Sequence, residues 1–163
     1  MEVSKSNLQL RFRFSWVLQN SLAVGPAPKA IRHLDRLRDA GIKSILSLCS
    51  NAEVQNQEAG LLEVLDSQFS HQIFVLPDHR SGKPPTMTDF LHALELADNL
   101  LHNSSPLYIH CVASVERSPL LCMGILIRRN NISPLSALDY MQQTHPGTNP
   151  LPQQLALLNG LIL

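Results

Sequence analysis

Residues 106–129 read PLYIHCVASVERSPLLCMGILIRR. The first six, PLYIHC, form a short apolar run with the composition of a strand. The next few are small and polar and read as a loop. From Ser118 to Arg129 the side chains are apolar nearly all round, which predicts a buried central helix rather than a surface one. A strand leading straight into a buried helix is one half of a parallel β-α unit.

The flanking sequence continues that alternation. LQLRFRFSWV (8–17) alternates apolar and polar side chains and suits a half-exposed strand, and SLAVGPAP (21–28) is a short strand ending in a turn. Pro28 is placed to open a helix, with Ile31, Leu34 and Leu37 as its stripe and Gly41 at its end. IKSILSLC (42–49) reads as a buried strand, residues 51–67 as a loop and then a short helix, and QIFVLP (72–77) as another buried strand closed by Pro77. DHRSGKPP (78–85) is a loop. Thr86 and Asp89 make a T-x-x-D cap for a helix carrying Phe90, Leu94, Ala97 and Leu101 on one face. Ser133 and Pro134 start a further helix, and residues 152–159 make a last one, followed by Gly160. The expected fold is a single α/β domain over residues 1–163, with residues 1–7 flexible. Its central sheet has about four to five mainly parallel strands, with helices on both faces.

Composition narrows the function classes. The chain has 163 residues, 44% of them apolar, enough for one full core. Thirteen basic and thirteen acidic side chains cancel, so no global field attracts nucleic acid or an anionic membrane, and any anion site must be local. No run approaches the ~20 apolar residues that span a bilayer, and the N-terminal residues lack the apolar core of a signal peptide. Three cysteines, an odd number, argue against a secreted disulfide framework. A soluble, cytoplasmic monomer is expected, with no nucleic-acid or membrane partner.

In parallel sheets ligands bind beyond the carboxyl ends of the strands. Three loops leave those ends, after Cys49, after Pro77 and after His110. In the last, backbone N–H groups can turn inward as an anion cradle, helped by the positive end of the helix that follows. The same cradle stabilises a thiolate, which makes Cys111 a nucleophile. Arg117 enters as the helix begins, and its planar fork can take two phosphate oxygens. Ser118 places a hydroxyl beside the sulfur.

His110-Cys111-five residues-Arg117-Ser118 resembles the signature loop of the cysteine-dependent protein tyrosine phosphatases, in their compact dual-specificity form. A shuffled chain of this composition would carry that pattern in roughly one case in a thousand. FSWVLQNSLAVGPAP, AGIKSILSL and LPDHRSGKPP follow in the order of elements found there. The resemblance implies that Cys111 is the phosphorylated nucleophile, Arg117 the oxygen clamp, and Val112, Ala113, Ser114, Val115, Glu116 and Arg117 the phosphate-binding loop. Ser118 assists the departing thiolate. Asp78, after the Pro77 strand end, matches the general acid; Asp66 in a surface helix and Asp89 in a cap are poorer candidates. His110 orients the loop through backbone carbonyls. Parallel strands end at one edge, which brings Cys49 towards Cys111. Some relatives use such a cysteine to trap the oxidised nucleophile, and the alternative for Cys49 is a small buried core residue. Cys122, Trp16 and the methionines read as core, and Gln153 and Gln154 as helix surface, with the positioning of a water near the end of the chain as the alternative.

Ser114 stands where the family has Gly, at a position of positive φ. Glu116 replaces a small residue and adds a negative charge beside an anion site, harmless if turned out and weakening phosphate binding if turned in. Neither a cofactor nor a metal is expected, because no His-x3-His or Cys-x2-Cys spacing occurs. The implied substrate is a phosphorylated protein or small phosphate ester. A phosphopeptide-binding module with little turnover, a phosphatase of inositol phosphates and a rhodanese-type sulfur transferase are the alternatives.

Overall fold

A computed structural model describes residues 12–162. Five strands form one sheet: β1 (Ser15–Leu18), β2 (Leu22–Gly25), β3 (Ser44–Ser47), β4 (Ser70–Ile73) and β5 (Leu107–His110). Their order in space is β1-β2-β5-β3-β4. β2, β5, β3 and β4 are parallel, and β1 turns back antiparallel onto β2. β5 is therefore central, and its C-terminal end opens at the middle of the sheet edge.

Period-2 alternation sends each strand's side chains to opposite faces. Ala23, Ile45 and Tyr108 face one side and pack with α1 (Ile31–Asp39) and α2 (Leu61–Gln68) through Leu34, Leu37, Leu61 and Leu65. Leu22, Val24, Leu46, Leu107 and Ile109 face the other side. There they meet α3 (Met87–Asn103), α4 (Arg117–Asn130) and α5 (Pro134–Thr144). Helices on both faces are as expected. α4 is buried from Arg117 through Ile127, which explains why its sequence has no polar face. Its Gly124 costs helix stability but permits close approach, since a Cβ there would lie 3.0 Å from Phe90 and 3.0 Å from Leu94 of α3.

Local signals set several boundaries. Thr86 Oγ1 accepts the Asp89 N–H at 3.1 Å, and Ser133 Oγ accepts the Ser136 N–H at 3.1 Å with Pro134 in the first turn. Gly41 follows α1 at φ 95°.

Other boundaries differ from expectation. Residues 8–11 of the first expected strand and the stretch 1–7, expected to be flexible, lie outside the described residues; within the described residues the strand begins at Ser15. α1 begins at Ile31, not Pro28, because the His33 ring accepts the Lys29 and Ala30 N–H groups and holds them out of the helix. The strand expected over 72–77 is β4, Ser70–Ile73, and it is mostly exposed. It lies at the sheet edge, so one flank has no neighbour. Phe74 and Leu76 still donate to the Ser47 and Leu48 carbonyls at 2.9 and 3.0 Å, which carries Asp78 to the same end as β5. The final helix is a short α6 (Pro152–Leu155) running into a 3-10 segment, Ala156–Leu161, that includes Gly160. Trp16 is only half-buried.

His110 closes β5 and is buried. Its Nδ1 donates to the Cys111 carbonyl at 2.9 Å, so its Nε2 accepts from Ser47 Oγ of β3 at 2.6 Å. Burial pushes its pKa down to about 4. The unfolded chain takes up a proton near 6.5 and the folded ring does not, so stability present above pH 6.5 is lost as the pH falls towards 4.

Two outcomes are expected. In urea denaturation, Gly124→Leu loses about 1–3 kcal/mol from overpacking against α3. His110→Asn is less stable than the parent at pH 7, and the gap narrows at pH 4.5, since the parent loses up to about 1.4 kcal/mol per pH unit that the variant lacks.

Candidate active site

The loop from Cys111 to Glu116 joins β5 to α4, and its own polar groups are sorted by direction. The Cys111 carbonyl is taken by His110. The Val112 carbonyl accepts the Ala27 N–H at 3.1 Å, and the Val115 carbonyl accepts the Asn149 N–H at 2.9 Å. The Ser114 carbonyl accepts from His145 Nε2 at 3.0 Å. Four carbonyls are thus drawn outward by four residues: Ala27, His110, and His145 and Asn149 of one turn. A trans peptide points its N–H opposite its C=O. The N–H groups of Val112, Ala113, Val115 and Glu116 therefore face the hollow in which Cys111 sits.

Ser114 takes φ 60°, the left-handed value the Gly position demands. Its hydroxyl is buried against Ser118 Oγ and His145 Nε2, each at 3.0 Å. Ser118 Oγ in turn lies 3.3 Å from Cys111 Sγ.

Arg117 is only 4% exposed. Its Nη1 donates to the carbonyls of Leu48 and Leu76 at 3.2 and 2.9 Å, and its Nη2 pairs with Glu53 Oε1 at 3.1 Å. Of the five guanidinium donors, Nε–H and the second Nη2–H remain without a partner among the described residues. They share one edge of the fork, the edge suited to two phosphate oxygens. Burial alone would push the Glu53 carboxyl up, but the Ser50 N–H and Arg117 outweigh it and hold that carboxyl below its usual range.

Asp78 lines the same hollow as Cys111, Glu116 and Arg117. Its Oδ1 accepts the Arg80 N–H at 2.9 Å and caps the turn His79–Ser81, and its Oδ2 lies 3.3 Å from Arg80 Nε. Asp66 is remote from this group and holds His71 at 2.9 Å; Asp89 stays in the first turn of α3. Glu116 is turned neither freely outward nor bare into the hollow. Its Oε2 accepts from His79 Nδ1 at 2.6 Å and its Oε1 from Gln154 Nε2 at 3.1 Å. Its charge ties the Asp78 loop and α6 to the Cys111–Glu116 loop. Gln154 is consequently buried, against the expectation of helix surface, because its amide also accepts the Leu151 N–H at 2.7 Å.

Cys49 follows β3 beside the end of β5, with Sγ 3.9 Å from His110 Nδ1. Burial pushes its thiol up to about 12, against the pull of Arg117. Cys122 lies wholly in the core, and all three cysteines are unpaired. Among the described residues no group of three or more His, Cys, Asp or Glu side chains could hold a metal, and no helix is long and apolar enough to cross a membrane.

Two members of this site, Glu53 and His145, carry no sequence signal, and Gln154 is set apart only as one of an adjacent pair read mainly as helix surface. Glu53 is one acid in a loop and His145 stands among the turn residues HPGTNP. Contact with Arg117 or with the loop before it distinguishes all three.

Comparison with known proteins agrees with this geometry. The chain is 22% identical over 129 residues to dual specificity protein phosphatase 1-A of Xenopus laevis, which covers 79% of this chain and 32% of the relative. It thus spans about a third of that protein's length. The crystal structure of PTPMT1 in complex with PI(5)P superposes at TM-score 0.77, with 18% identity, over 91% of this chain and 93% of that one. The active form of Tk-PTP superposes at TM-score 0.75, with 18% identity, over 91% and 95%. At such identities these two likenesses establish the fold. The family model of the DSP-PTPase phosphatases of polymorphic toxin systems matches residues 25–131, from the end of β2 to the end of α4, and the chain belongs to that family.

Proposed function

We propose that the protein hydrolyses phosphate monoesters, phosphotyrosine in proteins first among them, through a cysteinyl-phosphate intermediate. One observation carries the reading. Four loop carbonyls are drawn outward, so four N–H groups converge on the space above Cys111. Fixed dipoles of this kind stabilise charge without reorganising during the reaction. The free edge of Arg117 supplies the remaining positive charge.

In the first step the Cys111 thiolate attacks phosphorus and the ester P–O bond breaks. The leaving oxygen takes the proton of Asp78. In the second step water attacks phosphorus and passes a proton to the Asp78 carboxylate. The P–S bond breaks, its electron pair returns to sulfur, and the Ser118 hydroxyl stabilises the departing thiolate. His79, bound to Glu116, holds the acid loop near the nucleophile. Val112, Ala113, Ser114, Val115 and Glu116 frame the phosphate and His110 fixes the loop's entry. Cys49, whose strand ends at the same sheet edge as β5, would trap an oxidised Cys111 as a disulfide in this reading.

The finer assignments belong to the same reading: a catalytic domain spanning residues 1–163, acting as a monomer in the cytoplasm on a phosphorylated protein or small phosphate ester. An odd number of thiols supports the cytoplasmic assignment among them.

Hydrolysis of p-nitrophenyl phosphate should fall by about 10³-fold or more in Cys111→Ser, and vanadate should inhibit the parent. Undiminished turnover in that variant removes the mechanism, and phosphopeptide binding without phosphate release selects the binding-module alternative. Asp78→Asn should lose about 10²-fold on phosphotyrosine and much less on p-nitrophenyl phosphate, whose leaving group departs without a proton. Equal losses on both substrates would remove Asp78 as the acid.

A further inference from the structure

The hydroxyl at Ser114 has no counterpart in a loop with Gly at that place, and it is not idle. Five polar groups stand in line: Ser15 Oγ, the His145 ring, Ser114 Oγ, Ser118 Oγ and Cys111 Sγ. Elementary donor and acceptor rules fix the direction of the line. The Ser114 carbonyl can only accept, so His145 Nε2 carries the hydrogen. Burial keeps this ring below its ordinary range, so it holds one proton at neutral pH and Nδ1 is an acceptor. Nδ1 then takes the Ser15 hydroxyl at 2.7 Å. Nε2–H is shared between the Ser114 carbonyl and the Ser114 hydroxyl oxygen, both at 3.0 Å. With its oxygen accepting, the Ser114 hydroxyl donates to Ser118, and Ser118 is left to donate to Cys111. The reverse order would leave the Ser114 hydrogen without an acceptor in a residue only 2% exposed, which is costly.

We infer that Ser114 and His145 are positioning residues that hold the Ser118 hydroxyl with its hydrogen turned onto the Cys111 sulfur. The inference rests on the reading of Cys111 as the nucleophile. His145 is itself pinned. It caps the C-terminus of α5, its carbonyl accepts the Thr148 hydroxyl at 2.7 Å, and its ring is held by Ser15 of β1. The adjoining Asn149 N–H bonds the loop at Val115. The line of donors therefore begins at the edge strand and ends at the sulfur, and each hydroxyl polarises the next. A directed hydroxyl favours the thiolate both when it attacks and when it is released from phosphorus.

Ser114→Gly separates this role from a structural one. Glycine suits φ 60° better than serine does, so the variant should fold at least as well. A merely structural Ser114 predicts equal or better activity. The inference instead predicts slower alkylation of Cys111 by iodoacetamide at pH 6, roughly threefold, because thiolate is lost while intrinsic nucleophilicity partly compensates. It also predicts a larger burst and a lower steady-state rate on p-nitrophenyl phosphate, with an unchanged or raised thermal midpoint. His145→Gln, which can present an N–H at the same place, should keep the parent's alkylation rate, and His145→Phe should not. Parent-like alkylation in Ser114→Gly overturns the inference, and so does slowing that comes with a lowered thermal midpoint. Alkylation mapped to Cys111 by mass spectrometry needs no turnover, so this result stands apart from the Cys111→Ser test of the reaction itself.

Discussion

The Arg117 guanidinium is a cation buried at the C-terminal edge of a parallel sheet, and a buried cation must be matched by acceptors. It finds them at the ends of two other chain segments: the carbonyls of Leu48, after β3, and Leu76, after β4, with the Glu53 carboxylate beyond. Arg117 itself comes from the loop after β5. One planar group thus fixes the mutual positions of the three loops that leave the sheet edge. Removing the Glu53 carboxylate would leave the buried cation with only neutral carbonyl acceptors, which is destabilising. The same contacts occupy the inner donors of the guanidinium and leave its outer edge for a ligand. Holding the fold and presenting the site are consequences of one geometry.

Around that fixed point the Cys111–Glu116 loop is held by neighbouring residues. Four of its carbonyls are each drawn outward by a partner, Ala27, His110, His145 or Asn149. The inward amides follow from peptide planarity. Ser114 accepts a left-handed backbone, where a side chain is strained, and its hydroxyl is offset by two buried hydrogen bonds. At Glu116 the added negative charge becomes a tie: His79 and Gln154 hold both oxygens, joining the Asp78 loop and α6 to the Cys111 loop.

The residues that depart from the family pattern therefore share a feature. Each makes a side-chain contact with a partner far along the chain, Ser114 with His145 and Glu116 with His79 and Gln154. A departure read alone looks like a defect in the loop. Read with its partner, it is a change in how the loop is braced.

The alternation of short apolar runs with helical stripes, the caps at Thr86 and Ser133, and the spacing from His110 to Ser118 are local patterns, and the chain alone carried them. They determined an α/β sheet with the Cys111 loop at its centre, because side-chain period, caps and turns act within a few residues. Local pattern could not show that β4 is an exposed edge, since a short apolar run looks the same in the middle of a sheet and at its rim. Nor could it show the contacts of Glu53, His145 and Gln154, which lie 64, 28 and 37 residues from Arg117 and meet Arg117, Ser114 and Glu116 respectively only in the folded chain. Tertiary structure decided the direction of each loop carbonyl, the use of each guanidinium donor and the line of hydroxyls behind the sulfur, because a hydrogen bond has a direction and that direction is set by a partner the neighbouring sequence does not contain.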